Sequence, residues 1–515
     1  MKINSSYKHL VFVALIITLG LGFALALPWL ANNQSLAAQS ERSELVELSK
    51  SLDSEVNAPD AVTCFATFDD GTTPIYSSSD SSAVQNAVDD ASPGNTVKVA
   101  GTCVGVQTRA GLSQTVYISK SLTLEGGHTT SDWTLEPDPE TYTTTLDANR
   151  LGRVVLISGT VDVTLDSLFI TGGFADNAPY YNGGGINSNG ALTLSNSIVY
   201  SNTAQLGGGM NNDGNRSLLI EKTIFLNNKA WDNGGGLHTY IVSPTLNMVE
   251  FIGNNAEYGG GGMLASTGNL NLNGVNFVGN VAETGGGSYF QRSNSKLTNV
   301  SYINNFATEN GGGVYNTQNQ SVMTNTQFSG NRAEYGGAID NIAHVSTLIN
   351  TTFSGNDATA DGGGMRIFKG NADVYNSVFW NNRDSSGTGT ISATIFLRDT
   401  TITLSNSILE DSGGSDSWAL DPTRYVNGGF NKDTDPLFVT PVDPATAPTA
   451  DGDLRLAKES PAIDMGNNGF INVPIDLDGN PRIMDGDSDG TSIVDMGAYE
   501  YHMESFDIYL PMVVY

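Results

Sequence analysis

The sequence predicts an all-β chain, a right-handed, single-stranded parallel β-helix with an N-terminal helical cap and a small C-terminal domain of strands and loops. The main observation is a glycine block, followed by a small or apolar residue, that recurs every 24 to 27 residues. A fixed period of this length is typical of a solenoid, in which each coil buries its apolar face against the next. The eight blocks begin at Gly183, Gly207, Gly234, Gly260, Gly285, Gly311, Gly336 and Gly362.

A series of asparagines runs in phase with the glycine blocks, at intervals of 25 or 26 residues. Stacked coils would place these asparagines in one column, where each amide can hydrogen-bond to the coils on either side. The asparagines are Asn202, Asn228, Asn254, Asn280, Asn305, Asn331, Asn356 and Asn382.

Two columns of apolar residues precede the asparagines. The first lies three residues before each asparagine: Val199, Phe225, Phe251, Phe277, Tyr302, Phe328, Phe353 and Phe379. The second lies five residues earlier: Leu194, Ile220, Leu246, Leu272, Leu297, Met323, Leu348 and Val374. Both columns are expected in the interior of the stack.

A leucine-rich repeat and a parallel β-helix both fit a period near 26 residues. The first needs several leucines per turn, whereas these repeats are rich in Gly, Asn, Ser and Thr. The segments between the columns are short, alternating and β-branched, and contain no helix-forming run. The pattern therefore favours a β-helix with three short strands per coil and with glycines at a tight corner.

The N-terminal segment 1–38 has the features of an export signal. Lys2 and Lys8 precede an uncharged run from Leu10 to Leu27, and cleavage sites follow Ala26 and Ala37. The run is also long enough for an uncleaved membrane anchor, the only membrane contact that we expect. A polar linker, 39–60, separates it from the β-helix, which we place at 61–430.

The chain has two cysteines, Cys64 and Cys103. In an exported protein a disulfide between them is expected, and it would secure the first coil; two buried thiols are the alternative. Apolar residues recur at helical spacing from Ser81 to Ala91, which predicts a short amphipathic helix over the open end of the solenoid.

Parts of the chain resemble known families. The segments 87–94, 96–99 and 122–127 are similar to the opening of pectate-lyase-like right-handed β-helix proteins. Gly336-Gly337-Ala338-Ile339 and Phe328-Ser329-Gly330-Asn331 resemble the repeats of polymorphic outer membrane proteins. Those proteins are adhesins, so the resemblance, which is confined to the repeats, implies a role at the cell surface.

The C-terminal region 431–502 resembles the choice-of-anchor Q domain, which ends bacterial surface β-helix proteins and precedes varied attachment tails. A short tail, 503–515, follows, and it lacks the pattern for sortase attachment. The resemblance is carried by five phrases in order: Asp435-Pro436-Leu437-Phe438, Asp453-Leu454-Arg455-Leu456, Ser460-Pro461-Ala462-Ile463-Asp464, Asp476-Leu477-Asp478-Gly479-Asn480-Pro481-Arg482 and Asp495-Met496-Gly497-Ala498-Tyr499-Glu500.

One loop of this region has alternating carboxylates and a glycine at its sixth position, as calcium loops do. The candidate calcium ligands are Asp485, Asp487, Asp489 and Asp495. The twelfth position is Met496 where a bidentate glutamate is usual, so a polar turn is the alternative. Calcium is the only cofactor that the sequence suggests, and we expect that none is required. An ion pair of Asp476 or Asp478 with Arg482 is expected nearby.

A small or apolar residue follows each glycine block and is expected to face inward. The next residue is then expected to face outward, because strand side chains alternate. We call these residues the floor strip: Asn187, Asn211, His238, Leu264, Tyr289, Tyr315, Asp340 and Arg366. Tyr289, Tyr315, Asp340 and Arg366 are the candidate ligand-binding residues, since aromatic faces pack against sugar rings. The alternative is an exposed tyrosine pair and a surface ion pair worth under about 1 kcal/mol. His238 is expected to be solvated, not a base.

The chain has 54 acidic against 24 basic residues and a net charge of −30, which argues against nucleic acid as a partner. The floor strip has one arginine and one aspartate, whereas a polysaccharide lyase needs a base and an acidic calcium cluster. We therefore expect an extracellular or cell-surface protein with no catalytic residues, which displays, adheres or contacts extracellular glycans. The alternative is a secreted lyase or hydrolase that acts on acidic polysaccharides.

Overall fold

The computed structural model describes residues 63–68, 74–176, 181–214 and 216–502. They form a mostly β structure, a β-solenoid of about 13 turns with few helices, which confirms the predicted parallel β-solenoid. The strands of the described residues belong to sheets of 33, nine and two strands. The predicted signal segment, the whole of the linker 39–60 and the tail 503–515 lie outside the described residues.

The first coil is closed as predicted by a helix and a disulfide. The helix Ser82–Asp90 buries Ala83, Val84, Ala87 and Val88 against the open end of the solenoid. Cys64 and Cys103 form the disulfide, and their strands pair antiparallel over five residues. The strands of this end are Cys64–Phe68, Tyr76–Ser78, Thr96–Val104, Gln107–Arg109 and Leu112–Ile118.

The strands that follow the glycine blocks pair in parallel, and we call this series the glycine ladder. The first glycine of each block has φ between 60° and 71°. A Cβ atom there would lie 2.1 to 2.7 Å from the carbonyl oxygen three residues on, so only glycine fits this corner. The glycine ladder comprises Leu112–Ile118, Arg153–Ile157, Ile186–Ser188, Met210–Asn212, Leu237–Tyr240, Met263–Asn273, Ser288–Ile303, Val314–Thr317, Ile339–Ile342, Met365–Phe368 and Ile395–Arg398.

The two predicted apolar columns lie inside the stack, each on its own ladder. The leucine ladder comprises Leu122–Glu125, Asp162–Asp166, Ala191–Ser195, Leu218–Glu221, Pro244–Asn247, Met263–Asn273, Ser288–Ile303, Gln320–Ser329, Val345–Ser354, Asn371–Tyr375, Thr401–Ser405 and Tyr425–Asn427. The phenylalanine ladder comprises Thr145–Asp147, Phe169–Thr171, Ile198–Tyr200, Ile224–Leu226, Glu250–Ile252, Asn276–Val278, Val378–Trp380, Ile408–Leu409 and the C-terminal parts of Ser288–Ile303, Gln320–Ser329 and Val345–Ser354. From Phe225 to Phe379 the rings stack with centroids 4.3 to 5.0 Å apart.

The asparagine column forms a continuous chain of amides, as predicted. Asn280 shows the pattern: its Nδ2 donates to Asn305 Oδ1 at 3.0 Å and to the Phe251 carbonyl at 2.8 Å. Its Oδ1 accepts from both the backbone N and the Nδ2 of Asn254. All hydrogen-bonding groups of the buried amide are therefore satisfied within the stack.

Each coil of the repeat has a fourth strand segment, where the sequence predicts three. The additional strands follow the corner asparagines and bury a column of alanines, and we call them the alanine ladder. They are Thr203–Ala204, Lys229–Ala230, Asn255–Ala256, Val281–Thr284, Phe306–Asn310, Arg332–Tyr335, Asp357–Asp361 and Arg383–Asp384, and the short strand Gly387–Thr388 pairs antiparallel with the last of them. Backbone pairing between coils, rather than apolar periodicity, defines them, so the pattern of large residues does not reveal them.

The segment 431–502 packs along the side of the last coils. It contributes the strands Phe438–Thr440 and Asp453–Leu456 and the short helices Pro444–Thr446 and Asn468–Phe470. The short helices Ile391–Thr394 and Ser415–Ser417 precede it. Its apolar residues share one cluster with outward-facing side chains of the solenoid: Val378, Ile408, Phe438, Val442, Leu454, Leu456, Ala462, Ile463 and Met496. Within the described residues, no helix has the length and apolar character needed to cross a membrane.

Asparagines on three successive coils hold this segment by hydrogen bonds. Asn325 Nδ2 donates to the Ile475 carbonyl at 2.6 Å, and Asn350 Nδ2 donates to the Asp495 carbonyl at 3.1 Å. Asn376 makes a reciprocal pair, in which its Nδ2 donates to the Asn467 carbonyl and its Oδ1 accepts from the Asn467 N–H. These contacts fix the segment relative to the solenoid.

Candidate functional site

The floor strip is in register from coil to coil. Parallel pairing aligns Asn187, Asn211, His238, Leu264, Tyr289, Tyr315, Asp340 and Arg366 on adjacent strands of the glycine ladder. The alternation of strand side chains therefore places all eight on the outer face of that ladder.

A second row of residues flanks the floor strip, and we call it the rim strip. It lies immediately before the glycine corner, and bridges or strand pairs align its members from coil to coil. The two strips adjoin across the corner: the Tyr289 ring lies so close to Gly259 that a Cβ atom there would be only 2.8 Å from Tyr289 Cδ1. The two strips therefore line one surface, which we call the corner groove. The rim strip consists of Asn233, Gly259, Thr284, Asn310, Tyr335 and Asp361.

The N-terminal end of the floor strip is a chain of neutral hydrogen bonds. Asn211 Nδ2 donates to Asn187 Oδ1 at 3.0 Å, and His238 Nδ1 lies 2.8 Å from Asn211 Oδ1. His238 is only 7 % exposed, and burial lowers its pKa to about 4. The expectation that His238 is solvated is wrong, because its ring is buried and hydrogen-bonded to Asn211 on the adjacent coil. Its imidazole is neutral at pH 7 and donates from Nδ1 to the asparagine.

Two tyrosines form the centre of the floor strip. The rings of Tyr289 and Tyr315 lie on adjacent coils with centroids 4.8 Å apart and planes inclined by 41°. Both side chains are partly exposed, and Gln291 Nε2 donates to the Tyr289 hydroxyl at 3.2 Å. Burial raises the pKa of Tyr315, so its hydroxyl is protonated at neutral pH. The pair presents apolar ring surface next to hydroxyl groups.

The C-terminal end of the floor strip is a buried ion pair. Arg366 Nε and Nη2 donate to the two carboxylate oxygens of Asp340 at 2.8 and 2.6 Å. The Asp340 side chain is 0 % exposed and that of Arg366 is 15 % exposed. The expected surface ion pair is therefore wrong, because Asp340 is fully buried and Arg366 is mostly buried. Burial raises the pKa of Asp340 to about 6, although Arg366 opposes this shift.

The rim strip completes the surroundings of Arg366. Its Nη2 also donates to Asn310 Oδ1 at 3.2 Å, and its Cζ lies 4.1 Å from the centroid of the Tyr335 ring. Sequence reasoning missed Tyr335 and Asn310, although both immediately precede a glycine block and the same coil-to-coil alignment would have found them. The Nε and Nη2 groups of the guanidinium are thus directed at protein groups.

The four candidate calcium ligands are not brought together. Asp485 and Asp487 lie in one cluster, in which carboxylate oxygens are within 4.8 Å of one another, and its third member is Asp464. Asp489 instead accepts from the Thr491 N–H at 2.7 Å. Asp495 is 1 % exposed and accepts from the N–H groups of Asp464 and Tyr501.

Arg482 is buried among carboxyl groups, but its ion-pair partner differs from the one expected. Its Nη1 donates to Glu500 Oε1 at 2.7 Å, whereas Asp478 pairs with Arg455 at 2.8 Å. Burial raises the pKa of Asp495 to about 7 and that of Glu500 to about 9. Two buried acids adjoin one guanidinium here. When both acids are ionised, Arg482 balances only one of the two negative charges.

No protein-family model matches this chain, and no curated protein matches it. Among solved structures, it is similar to the enzymatically active domain of tailspike protein 2 from bacteriophage CBA120, with a TM-score of 0.29 and 12 % sequence identity. The match covers 63 % of this chain and 44 % of the tailspike chain, so this chain spans less than half of that structure.

Proposed function

We propose that this protein is an extracellular or cell-surface β-solenoid that binds glycans in the corner groove and catalyses no reaction on them. The observation that carries the proposal is the partly exposed pair of Tyr289 and Tyr315, with ring centroids 4.8 Å apart on adjacent coils. Aromatic rings pack against the apolar C–H faces of sugars, while polar neighbours hydrogen-bond to the hydroxyl groups. Display or adhesion through the same groove is the role that we favour.

The charge of the groove favours neutral glycans over polyuronates. Asp340 already neutralises Arg366, and Asp361 and Glu334 add negative charge next to the rim. The chain as a whole carries a net charge of −30. A polyanionic substrate would therefore be repelled on approach.

Two features of Arg366 argue against the alternative of a polysaccharide lyase. An arginine base must lose its proton before it can accept one from a sugar carbon. Asp340 is the main group that raises the pKa of Arg366, against the opposing effect of burial, so the guanidinium stays protonated. It is also held by Asp340 and Asn310, which leaves it poorly placed to approach a substrate.

One feature of the described residues supports an extracellular location. The disulfide between Cys64 and Cys103 is of a kind that persists in oxidising compartments.

A glycan array tests the binding proposal. We expect the wild type to bind neutral glycans, and Tyr289→Ala/Tyr315→Ala to lose about tenfold in affinity, as the loss of two ring contacts implies. The matched control is Tyr142→Ala/Phe430→Ala, which removes two exposed aromatic rings outside the floor strip. Equal binding by the wild type and the tyrosine double variant would contradict the proposal.

Turnover assays address the enzymatic alternative. Polygalacturonate and alginate are incubated with the wild type and calcium, and unsaturated products are followed by absorbance. We expect no products. Clear turnover that Arg366→Ala abolishes would establish the lyase and overturn the non-catalytic assignment.

A further inference from the structure

We propose that the C-terminal segment binds one calcium ion between Asp464, Asp485 and Asp487. Oxygens of these three carboxylates lie within 4.8 Å of one another. Calcium coordinates oxygens at 2.3–2.6 Å, so ligands across its coordination sphere are separated by up to about 5 Å. The ion would bind independently of any glycan in the corner groove.

The state of Asp464 provides a second, independent argument. This residue is 8 % exposed, and its buried Oδ1 has no hydrogen-bond partner among the described residues. Its other oxygen, Oδ2, accepts from the Asp487 N–H at 2.7 Å. A buried carboxylate oxygen without a partner is costly, and a cation beside it removes that cost. The nearby side chains of Asp485 and Asp487 are also carboxylates, so the ligand that fits this position is a cation.

The loop is organised so that its carboxylates converge. The Asp489 N–H donates to Asp485 Oδ1 at 3.1 Å and to Asp487 Oδ1 at 3.0 Å, and the Gly490 N–H donates to Asp485 Oδ2 at 3.1 Å. Carboxylates held by backbone donors retain free lone pairs for a metal. Three carboxylates and no nitrogen or sulfur ligand are the donor set of a hard cation such as calcium.

The ion would connect two parts of the segment that are 21 to 23 residues apart in sequence. Asp464 is linked through its N–H to Asp495, which in turn contacts Glu500 and the solenoid residue Asn350. Calcium at this position would therefore stabilise the packing of the segment on the coils. This role distinguishes it from a calcium ion that participates in catalysis.

Terbium luminescence on the full chain, stripped with chelator, tests the site. The Tyr501 ring lies beside the loop, since a Cβ atom at Gly486 would be 3.7 Å from Tyr501 Cδ1, and it can sensitise a bound Tb³⁺. We expect saturable binding of one Tb³⁺ that Ca²⁺ displaces. Asp464→Asn and Asp487→Asn should each weaken Ca²⁺ binding by at least about tenfold. Asp489→Asn, in the same loop but outside the triad, is the matched control and should retain affinity.

Two results would overturn the site. One is the absence of Tb³⁺ or Ca²⁺ binding by the wild type at millimolar concentration. The other is a loss of binding in Asp489→Asn while Asp487→Asn binds normally. If Asp464→Asn does not fold, the exposed Asp487 decides the question, because its substitution leaves no buried group unpaired.

Discussion

The repeated coils and the C-terminal segment are stabilised in opposite ways. In the coils, seven amide-to-amide hydrogen bonds and six ring stacks repeat the same neutral contact from one turn to the next. In the segment, contacts occur once each and include a buried arginine with two buried acids. The coils are insensitive to pH at these positions because amides and aromatic rings are uncharged, whereas the stability of the segment depends on which acids are ionised.

The largest expected effect is in the coils. Asn280→Ala removes the acceptor of both the backbone N–H and the Nδ2 of Asn254, while Asn305 Oδ1 loses one donor and keeps the backbone N–H of residue 280. Each buried group left unpaired costs about 1–3 kcal/mol, so we expect a loss of about 4 kcal/mol or more in the free energy of unfolding. Denaturant unfolding measures it.

The control for Asn280 is Asn294→Ala. Asn294 also donates to an asparagine on the preceding coil, Asn269, but it is exposed. Solvent replaces that bond, and the change should cost less than about 0.5 kcal/mol. Equal losses in the two variants would contradict a special role for the interior column.

The next effect is in the segment. Arg482→Met leaves Glu500 and Asp495 as uncompensated buried acids, which should cost about 3 kcal/mol. Hydrogen exchange should accelerate across 431–502 while the interior coils remain protected. Arg216→Met, which removes an exposed ion pair with Asp162, should change neither region measurably. Uniform destabilisation of coils and segment would show that the two regions unfold as one unit.

A further effect is expected from pH, because an acid that is protonated only in the folded state costs up to about 1.4 kcal/mol of stability for each unit by which the pH rises. The pKa of Asp495 is raised by burial to about 7, so between pH 4 and 7 the folded segment binds more protons than the unfolded chain. Its stability therefore falls as pH rises through this window, and Glu500, with a pKa near 9, extends the fall to higher pH.

Segment-specific hydrogen exchange at pH 5 and 8 isolates this effect. His238 and His344 in the coils have pKa values lowered by burial to about 4 and about 3, and they favour the folded coils as pH rises. Glu500→Gln leaves Asp495 as the single buried acid beside Arg482, and it should reduce the loss of segment stability between pH 5 and 8. An unchanged pH dependence in that variant would place the titrating group elsewhere.

The repeat allowed the interior to be predicted residue by residue. Once the glycine blocks set the period, Phe277 and Asn280 could be placed in columns. The equivalent residues of the other coils were then found by adding or subtracting the period. Parallel coils in register force equivalent residues to stack, so period and side-chain chemistry are sufficient information there. The helix over the first coil and the Cys64–Cys103 disulfide were predicted on equally local grounds.

The candidate sites needed more than the period. His238 and Asp340 are on the strip that the alternation predicts, yet both are buried, because the alternation gives the side on which a residue lies and not how far its neighbours cover it. Asp464 joins Asp485 and Asp487 from a different loop, which a linear calcium motif does not include.

Sequence alone was sufficient for the solenoid, its interior columns, its helical cap and its disulfide, because these depend on local spacing and on repetition. The partner of Arg482 and the cluster at Asp464 were decided by the way distant segments pack together. Those contacts occur once, so nothing in the repeat encodes them. Burial then sets the charge state of each group, and only the folded chain determines which groups are buried.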